Sequence, residues 1–367
     1  MKEYINQHYM KCLNAALVFR LVRDNERMTR KQIQARTNFS WGAVSNITSR
    51  LIESGYIKEE TRVAGTTAGR TPFYLEVNGD RYCVIGLDIN RSGLRAVVVN
   101  LKNEVMSSIE QSLDFNNKED LLDAIVGFAK QALSLAGKYE VLAVGVAMQG
   151  KLDAEEGISI NFPDCEEWKD VPLRDILKEK LDLPVYVEHD PDCILYAVES
   201  RVDSMLIRLD KSIGMAAAFS NMPINRAGMF EIGHVTVDPN GEKCSCGKKG
   251  CLEIYASQDG MAKIYGKDFE QLADDARMEK AEAVKLFDDM ASKLALSVAN
   301  SLQLLGLNRV VLCGNSMQYK DLFFDNFKEK LETISKSQIE LSEVRVDRAA
   351  LGAALYSVDR SLESIQL

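Results

Sequence analysis

The sequence predicts an α/β protein: a small winged helix-turn-helix head followed by a larger α/β body. Three observations predict it. Helical spacing gives way to two short strands within residues 1–78, buried strands alternate with helices from residue 79 onward, and one His and three Cys crowd into residues 234–251. The 367 residues suit two or three domains. The chain is 46% hydrophobic and 27% charged, the composition of an ordinary soluble protein. It contains no apolar run of about 18 residues, so no membrane span is expected. Its N-terminus has no apolar leader stretch, and a cytoplasmic protein is expected.

The head comes first. Leu13, Ala16, Leu17, Phe19, Leu21 and Val22 recur at helical spacing. Thr29 is placed to cap a short second helix, and Asn38 falls where that helix must turn. Ser40 caps a longer helix from Trp41 to Ser54, closed by Gly55. Val44, Ile47, Leu51 and Ile52 form its apolar stripe. The opposite face carries Ser40, Trp41, Ser45, Asn46, Ser49 and Arg50, small polar side chains and one Arg that suit a major groove. Residues 56–60 and 73–75 read as two strands joined by a wing whose tip is basic at Arg70, placed to enter a minor groove.

Charge separates head from body. Residues 1–73 carry 12 Lys and Arg against 6 Asp and Glu, a net +6; the remainder carries 33 against 48, a net −15. A basic head on an acidic body fits a module that binds double-stranded operator DNA. The competing reading is a winged helix that binds protein; the charge excess and the polar outer face favour DNA.

The body opens with strands over 82–89, 94–100 and 104–113, a helix over 119–137 and a strand over 141–148. Strand, turn, strand, then a helix and a further strand indicate an α/β domain. Leu286, Met290, Leu294, Leu296, Val298 and Leu302 stripe a helix over 281–305, read as lobe core in preference to a dimer seam.

The stretch 231–253 is the most informative in the chain. His234, Cys244, Cys246 and Cys251 supply the N and S ligands of a closed tetrahedral zinc site, with Gly241, Gly247 and Gly250 between them. The alternatives are a disulfide or free surface thiols; clustered Cys with a His in a reducing compartment favour structural zinc. Cys12, Cys83, Cys165 and Cys193 are isolated and read as small core residues. Glu231 and Glu253 flank the knot, which would draw two carboxylates together in a form suited to sugar hydroxyls.

With these motifs in hand, the chain from about residue 80 to its end resembles the ROK family. The residues that carry the resemblance are Glu231-x-Gly-His234, Cys244-x-Cys-Gly-x-x-Gly-Cys-x-Glu253, the segment 181–200 with Glu188-His189-Asp190, Asn161-Phe162-Pro163, 168–173 and Arg348 to Ala354. That family joins sugar kinases and sugar-responsive repressors on a duplicated, actin-like (ribonuclease-H-like) fold in two lobes. The winged head is similar to the repressor branch.

The resemblance implies two phosphate loops in a kinase, and both depart from pattern here. Asn90 stands where the first loop has Gly, crowding a backbone that must approach phosphate. Asp210-Lys211-Ser212-Ile213-Gly214-Met215-Ala216 replaces a glycine-rich second loop. A carboxylate about 4 Å from a phosphate charge costs roughly 4 kcal/mol at an effective dielectric of 20, with Lys211 offsetting part. No catalytic residue is therefore expected, only a vestigial base, Asp190. By the same resemblance His189, Asp190, Glu231, His234 and Glu253 line a monosaccharide site, with His189 standing where Asn is common. Taken alone, Asp190 reads equally as a loop-capping carboxylate. The implied function is a sugar-responsive transcriptional repressor, a homodimer or tetramer whose DNA affinity a monosaccharide effector modulates. The alternative is a sugar kinase acting on a hexose or N-acetylhexosamine with ATP.

Overall fold

Short-range chemistry builds the head. The computed structural model describes residues 7–61, 73–198, 203–219, 222–223, 230–335, 339–344 and 348–363. Helix α1 spans Gln7–Asp24, α2 Arg30–Thr37 and α3 Trp41–Glu53. Thr29 and Gln32 form a reciprocal capping box, with the Thr29 N–H donating to Gln32 Oε1 at 2.8 Å. Asn38 ends α2 in the left-handed conformation (φ 57°), and Ser40 Oγ accepts from the Ala43 N–H at 3.2 Å. Strands β1 (Ile57–Thr61) and β2 (Phe73–Val77) pair antiparallel, and Met28 bridges to Leu75 as a third rung. The wing residues between them, Arg70 included, lie outside the described residues.

One detail of α3 differs from the sequence reading. Ile47 and Ile52 are only half-buried, whereas Thr48 is fully buried. Its hydroxyl donates to the Val44 carbonyl at 2.9 Å and accepts from Arg30 Nε at 2.8 Å. A hydroxyl can enter a core when both its donor and its acceptor find partners.

The body repeats one plan twice. In the first half β3 (Tyr82–Asn90), β4 (Gly93–Asn100) and β5 (Val105–Gln111) pair antiparallel in sequence, then α4 (Lys118–Ser134) leads to β6 (Glu140–Met148), parallel to β3. A small ribbon of β7 (Leu152–Asp153) and β8 (Ile158–Ser159) follows, then α5 (Leu173–Leu181) and β9 (Val185–His189), giving the order β5-β4-β3-β6-β9. Helix α4 ends at Ser134, a turn short of the expected 137. In the second half α6 (Asp190–Tyr196) precedes β10 (Ser204–Leu209), β11 (Ile213–Phe219) and β12 (Met222–Pro223). Helices α7 (Leu252–Ala256), α8 (Gln258–Tyr265), α9 (Phe269–Arg277) and α10 (Ala281–Leu305) come next. Strand β13 (Arg309–Cys313), helix α11 (Phe324–Ser335) and strand β14 (Glu340–Glu343) complete a second sheet, β12-β11-β10-β13-β14. Helix α12 is Ala349–Glu363.

The chain divides into two units, residues 1–188 with 350–367, and residues 189–349. In the first, β3 is buried on both faces. Cys83, Ile85, Leu87 and Ile89 pack under α4 with Leu121, Ile125 and Phe128. The other face receives α12. Gly86 and Gly145 are register partners on β3 and β6; a Cβ on them would lie 1.8 Å from the Ala350 carbonyl oxygen and 2.0 Å from that of Ala353. Two bare positions side by side let a helix backbone rest directly on the sheet.

The head shares this second core. Phe19 and Val22 of α1 cluster with Val84, Val97 and Val99 of the sheet and with Ala354, Val358 and Leu362 of α12. Each such apolar side chain contributes about 1.5–3 kcal/mol on burial. Tyr56 stacks on Tyr82 at 4.9 Å, and the Tyr82 hydroxyl donates to the Ser54 carbonyl at 2.9 Å. At the far end of α12, Asp359 Oδ1 accepts from Arg20 Nε at 3.1 Å and from Arg23 Nη1 at 3.0 Å.

In the second unit α10 packs Phe287, Met290, Leu294, Val298 and Leu302 against the sheet. Leu286 is half-buried and Leu296 points outward at 39% exposure, so the expected core stripe holds for four of its six members. Cys12, Cys83, Cys165 and Cys193 are all buried, as expected of core residues. No helix among the described residues is long and apolar enough to cross a membrane.

Candidate functional site

The metal-ligating residues converge. One ligand atom each from His234, Cys244, Cys246 and Cys251 lies within 4.8 Å of every other. His234 Nδ1 stands 3.7 Å from Cys244 Sγ, and Cys246 Sγ stands 3.6 Å from Cys251 Sγ. Ligands at ordinary zinc bond lengths on a tetrahedron lie about 3.5–3.8 Å apart, so the donor set and its spacing fit that ion. The thiols are free. The loop is tied by a Thr236–Cys251 bridge, a Lys243–Lys249 bridge and Lys248 Nζ donating to the His234 carbonyl at 2.8 Å. Gly250 (φ 63°) is obligatory, since a Cβ there would meet the Asp238 carbonyl oxygen at 1.5 Å. Burial pushes the Cys251 thiol up to about 12, the state a metal reverses by displacing the proton.

Glu253, two residues beyond the last thiol, is half-buried and accepts from the Ile213 N–H at 3.0 Å. Burial pushes its carboxyl up to about 7, against the Ile213 N–H, and the charges of Asp259 and the exposed Glu231 add to the rise. The charge of Glu231 is thus felt at Glu253. A carboxyl poised near neutrality can accept from a hydroxyl or donate to one.

His189 and Asp190 sit where β9 meets α6. His189 occupies the N-cap position of that helix, and its side chain makes no capping hydrogen bond. Asp190, 2% exposed, is ion-paired through Oδ2 with Nη1 of Arg208 on β10. His189 lies 3.6 Å from both Asp190 Oδ1 and Asp192 Oδ2. Arg208 Nη2 reaches on to Asp210 Oδ2 at 3.3 Å. Asp210 also accepts from Asn315 Nδ2 at 3.2 Å and from the Lys211 N–H at 2.9 Å. The partners that offset its charge are therefore Arg208 and Asn315, with Lys211 supplying only its backbone N–H. The β10–β11 loop joins this network to the other carboxylates, because Asp210 opens it and Ile213 N–H binds Glu253 at its end. Arg208 escapes a motif search. An Arg inside the apolar run Met205-Leu-Ile-Arg-Leu209 was the available clue.

The corresponding loop in the first unit is also occupied from within. The Arg91 N–H donates to Gln149 Oε1 at 2.8 Å, and the Ser92 N–H to Asn90 Oδ1 at 2.8 Å. Arg91 Nε reaches Asp164 at 2.6 Å. Asn161 Oδ1 accepts from the Lys151 N–H at 2.7 Å, and Trp168 is fully buried with Nε1 donating to Ser159 at 2.8 Å.

On the head, Ser40, Trp41 and Asn46 are exposed, Trp41 at 53%; Ser45, Ser49 and Arg50 are half-buried along the same helix.

Comparison with known proteins agrees with both halves. Residues 84–355 match the ROK family, and residues 18–58 match the winged helix-turn-helix DNA-binding group. A xylose repressor of Caldicellulosiruptor bescii is 26% identical over 382 residues, covering 94% of this chain and 95% of that protein. The crystal structure of a ROK family transcriptional regulator, a homologue of the Escherichia coli MLC protein, superposes with a TM-score of 0.83 at 19% identity, over 97% of this chain and 98% of that one. A ROK hexokinase from Thermus thermophilus superposes with a TM-score of 0.64 at 23% identity, over 74% of this chain and 97% of its own, and so shares the body fold.

Proposed function

The chain belongs to the ROK family, and from that premise we propose that it is a sugar-responsive transcriptional repressor. The observation that carries this reading is one chain with a ROK body and a DNA-binding winged helix, similar over nearly its whole length to a protein named xylose repressor. Ser40, Trp41, Ser45, Asn46, Ser49 and Arg50 face the DNA major groove, and Arg70 enters the adjacent minor groove from the wing. Two heads in a dimer read half-sites about 34–36 Å apart.

The effector is a monosaccharide. Asp190, Glu231 and Glu253 accept from its hydroxyls, and His189 and His234 line the same site. His234, Cys244, Cys246 and Cys251 hold zinc, which supplies rigidity and no chemistry. The ion fixes the loop so that Glu231 and Glu253 stay in register. A coupling of about 1–3 kcal/mol between sugar and DNA suffices for 5- to 150-fold relief of repression.

The kinase alternative is disfavoured by the two loops. Their amide N–H groups at Arg91, Ser92, Lys211 and Ile213 are taken by the chain's own side chains, leaving few donors for a phosphate. The test selects operator duplexes from a random pool and titrates D-xylose, D-glucose and N-acetyl-D-glucosamine against the complex. Release or tightening by one of them is expected, and a complex indifferent to every monosaccharide would sink the reading. ADP release at ordinary kinase rates of about 1–100 per second would favour the alternative.

A further inference from the structure

Arg208 is the one charged residue of β10, inside its apolar run Met205–Leu209, and stability does not account for it. It is 6% exposed, its Nε finds no hydrogen-bond partner among the described residues, and its two other nitrogens serve two buried carboxylates. Replacing a buried ion pair by apolar residues of similar size is often neutral or stabilising, so such a group marks a role other than holding the fold. Its location is rigid. Strand β10 is flanked by β11 and β13, and Pro191 of α6 packs on Gly214 across from it. The far carboxylate, Asp210, is itself held by Asn315 and the Lys211 N–H. The guanidinium thus has one anchored end and one working end.

The working end divides the oxygens of Asp190. Oδ2 pairs with Arg208, while Oδ1 faces His189 at 3.6 Å, a separation too long for a hydrogen bond. A paired carboxylate is an acceptor only and cannot turn to offer Oδ2 to a ligand. We propose that Arg208 is a positioning residue that determines sugar specificity: it holds Asp190 so that Oδ1 accepts from one particular ring hydroxyl. This rests on the sugar-site reading given above. Arg208 acts through Asp190 and takes no part in any group transfer.

The experiment uses the full, zinc-loaded chain and isothermal titration with D-xylose, D-glucose and N-acetyl-D-glucosamine, followed by monodeoxy analogues of the tightest binder. The wild type is expected to bind one of these sugars and to lose roughly 10- to 100-fold in affinity when one hydroxyl is missing. In Arg208→Met that penalty shrinks to about twofold, because Asp190 is no longer aimed; the parent sugar binds roughly 10- to 100-fold more weakly, and the melting temperature falls because Asp190 and Asp210 are left buried without their cation. Arg208→Lys keeps the discrimination. Asp190→Asn and the double variant Asp190→Asn/Arg208→Met bind the parent sugar about as weakly as Arg208→Met alone, since the two residues act as one unit. If Arg208→Met does not fold, the contrast between Arg208→Lys, which discriminates, and the double variant, which does not, decides the matter. Undiminished discrimination in either Met-bearing variant overturns the proposal, and so do losses that simply add. A wild type that binds none of the sugars overturns the sugar reading itself and this inference with it.

Discussion

The two sheets share one strand order yet close the same loop in opposite ways. After β3 the loop is occupied by neutral groups, Asn90 and Gln149, with the Arg91–Asp164 pair on its outside. After β10 it is closed by buried charge, Asp210 against Arg208, continued to Asp190 and Asn315. Neutral capping satisfies a backbone and asks nothing more of the fold. A buried ionic chain is costly to desolvate, and it aims a carboxylate at the place where His189 stands. The difference teaches that two sheets of one strand order can satisfy the same loop with neutral groups in one copy and with buried charge in the other. The bottom of the two sheets differs as well, since only the first carries the head and the resting place of α12.

The comparison can be broken most forcefully through the second unit's metal loop. With zinc in the cluster of His234, Cys244, Cys246 and Cys251, as proposed, a strong chelator or the substitution Cys251→Ser is expected to lower the melting temperature by roughly 10 °C, seen by calorimetry as loss in a transition that leaves DNA-head helicity largely intact. A single cooperative collapse of both units would argue that they are not separable. Next in size, Asp359→Ala strips Arg20 and Arg23 of their shared partner. Arg23 and Asp359 have side chains only 4% and 7% exposed, so breaking the pair should cost about 3–5 kcal/mol in urea unfolding. Gly86→Val should cost about 3 kcal/mol or more, because the sheet must part from Ala350; a fully stable variant would show that α12 does not rest there. Arg50→Ala changes function instead. Operator affinity should fall about 5- to 150-fold with thermal stability unchanged, and unaltered affinity would remove α3 as the DNA reader.

The smallest effect is a pH signature confined to the second unit. Lys280, Tyr265 and Lys267 hydrogen-bond to Asp275 and hold its carboxyl well below the usual range. A lowered folded pKa stabilises the protein above the unfolded value of about 3.9, and that stabilisation is lost as pH falls below it. Asp275→Asn should therefore be less stable than wild type at pH 7, with the gap narrowing below about pH 4. A gap that does not change with pH would assign Asp275 a packing role only.

What the sequence disclosed follows from how far each interaction reaches. The caps at Thr29, Asn38 and Ser40 close within three or four residues, and the metal ligands lie within 18, so spacing reveals them. Arg23 and Asp359 are 336 residues apart, and no local pattern links them. Asp190, Arg208 and Asn315 meet only because sheet order sets α6, β10 and β13 together. The spacing puts Thr48 on neither face of its helix and Leu296 in the core, whereas the structure buries the first and exposes the second. Helical periodicity marks which face points inward, but not whether a hydroxyl there finds both partners or how far the covering layer extends.

Helix α12 belongs to the first unit although 161 residues of the second intervene before it is made. A chain still emerging from the ribosome therefore presents bare Gly86 and Gly145, the apolar face of the sheet around Val84, Val97 and Val99, and two arginines of α1 without Asp359 until that last helix arrives. Shortened products would carry a recognition helix on an unfinished foundation.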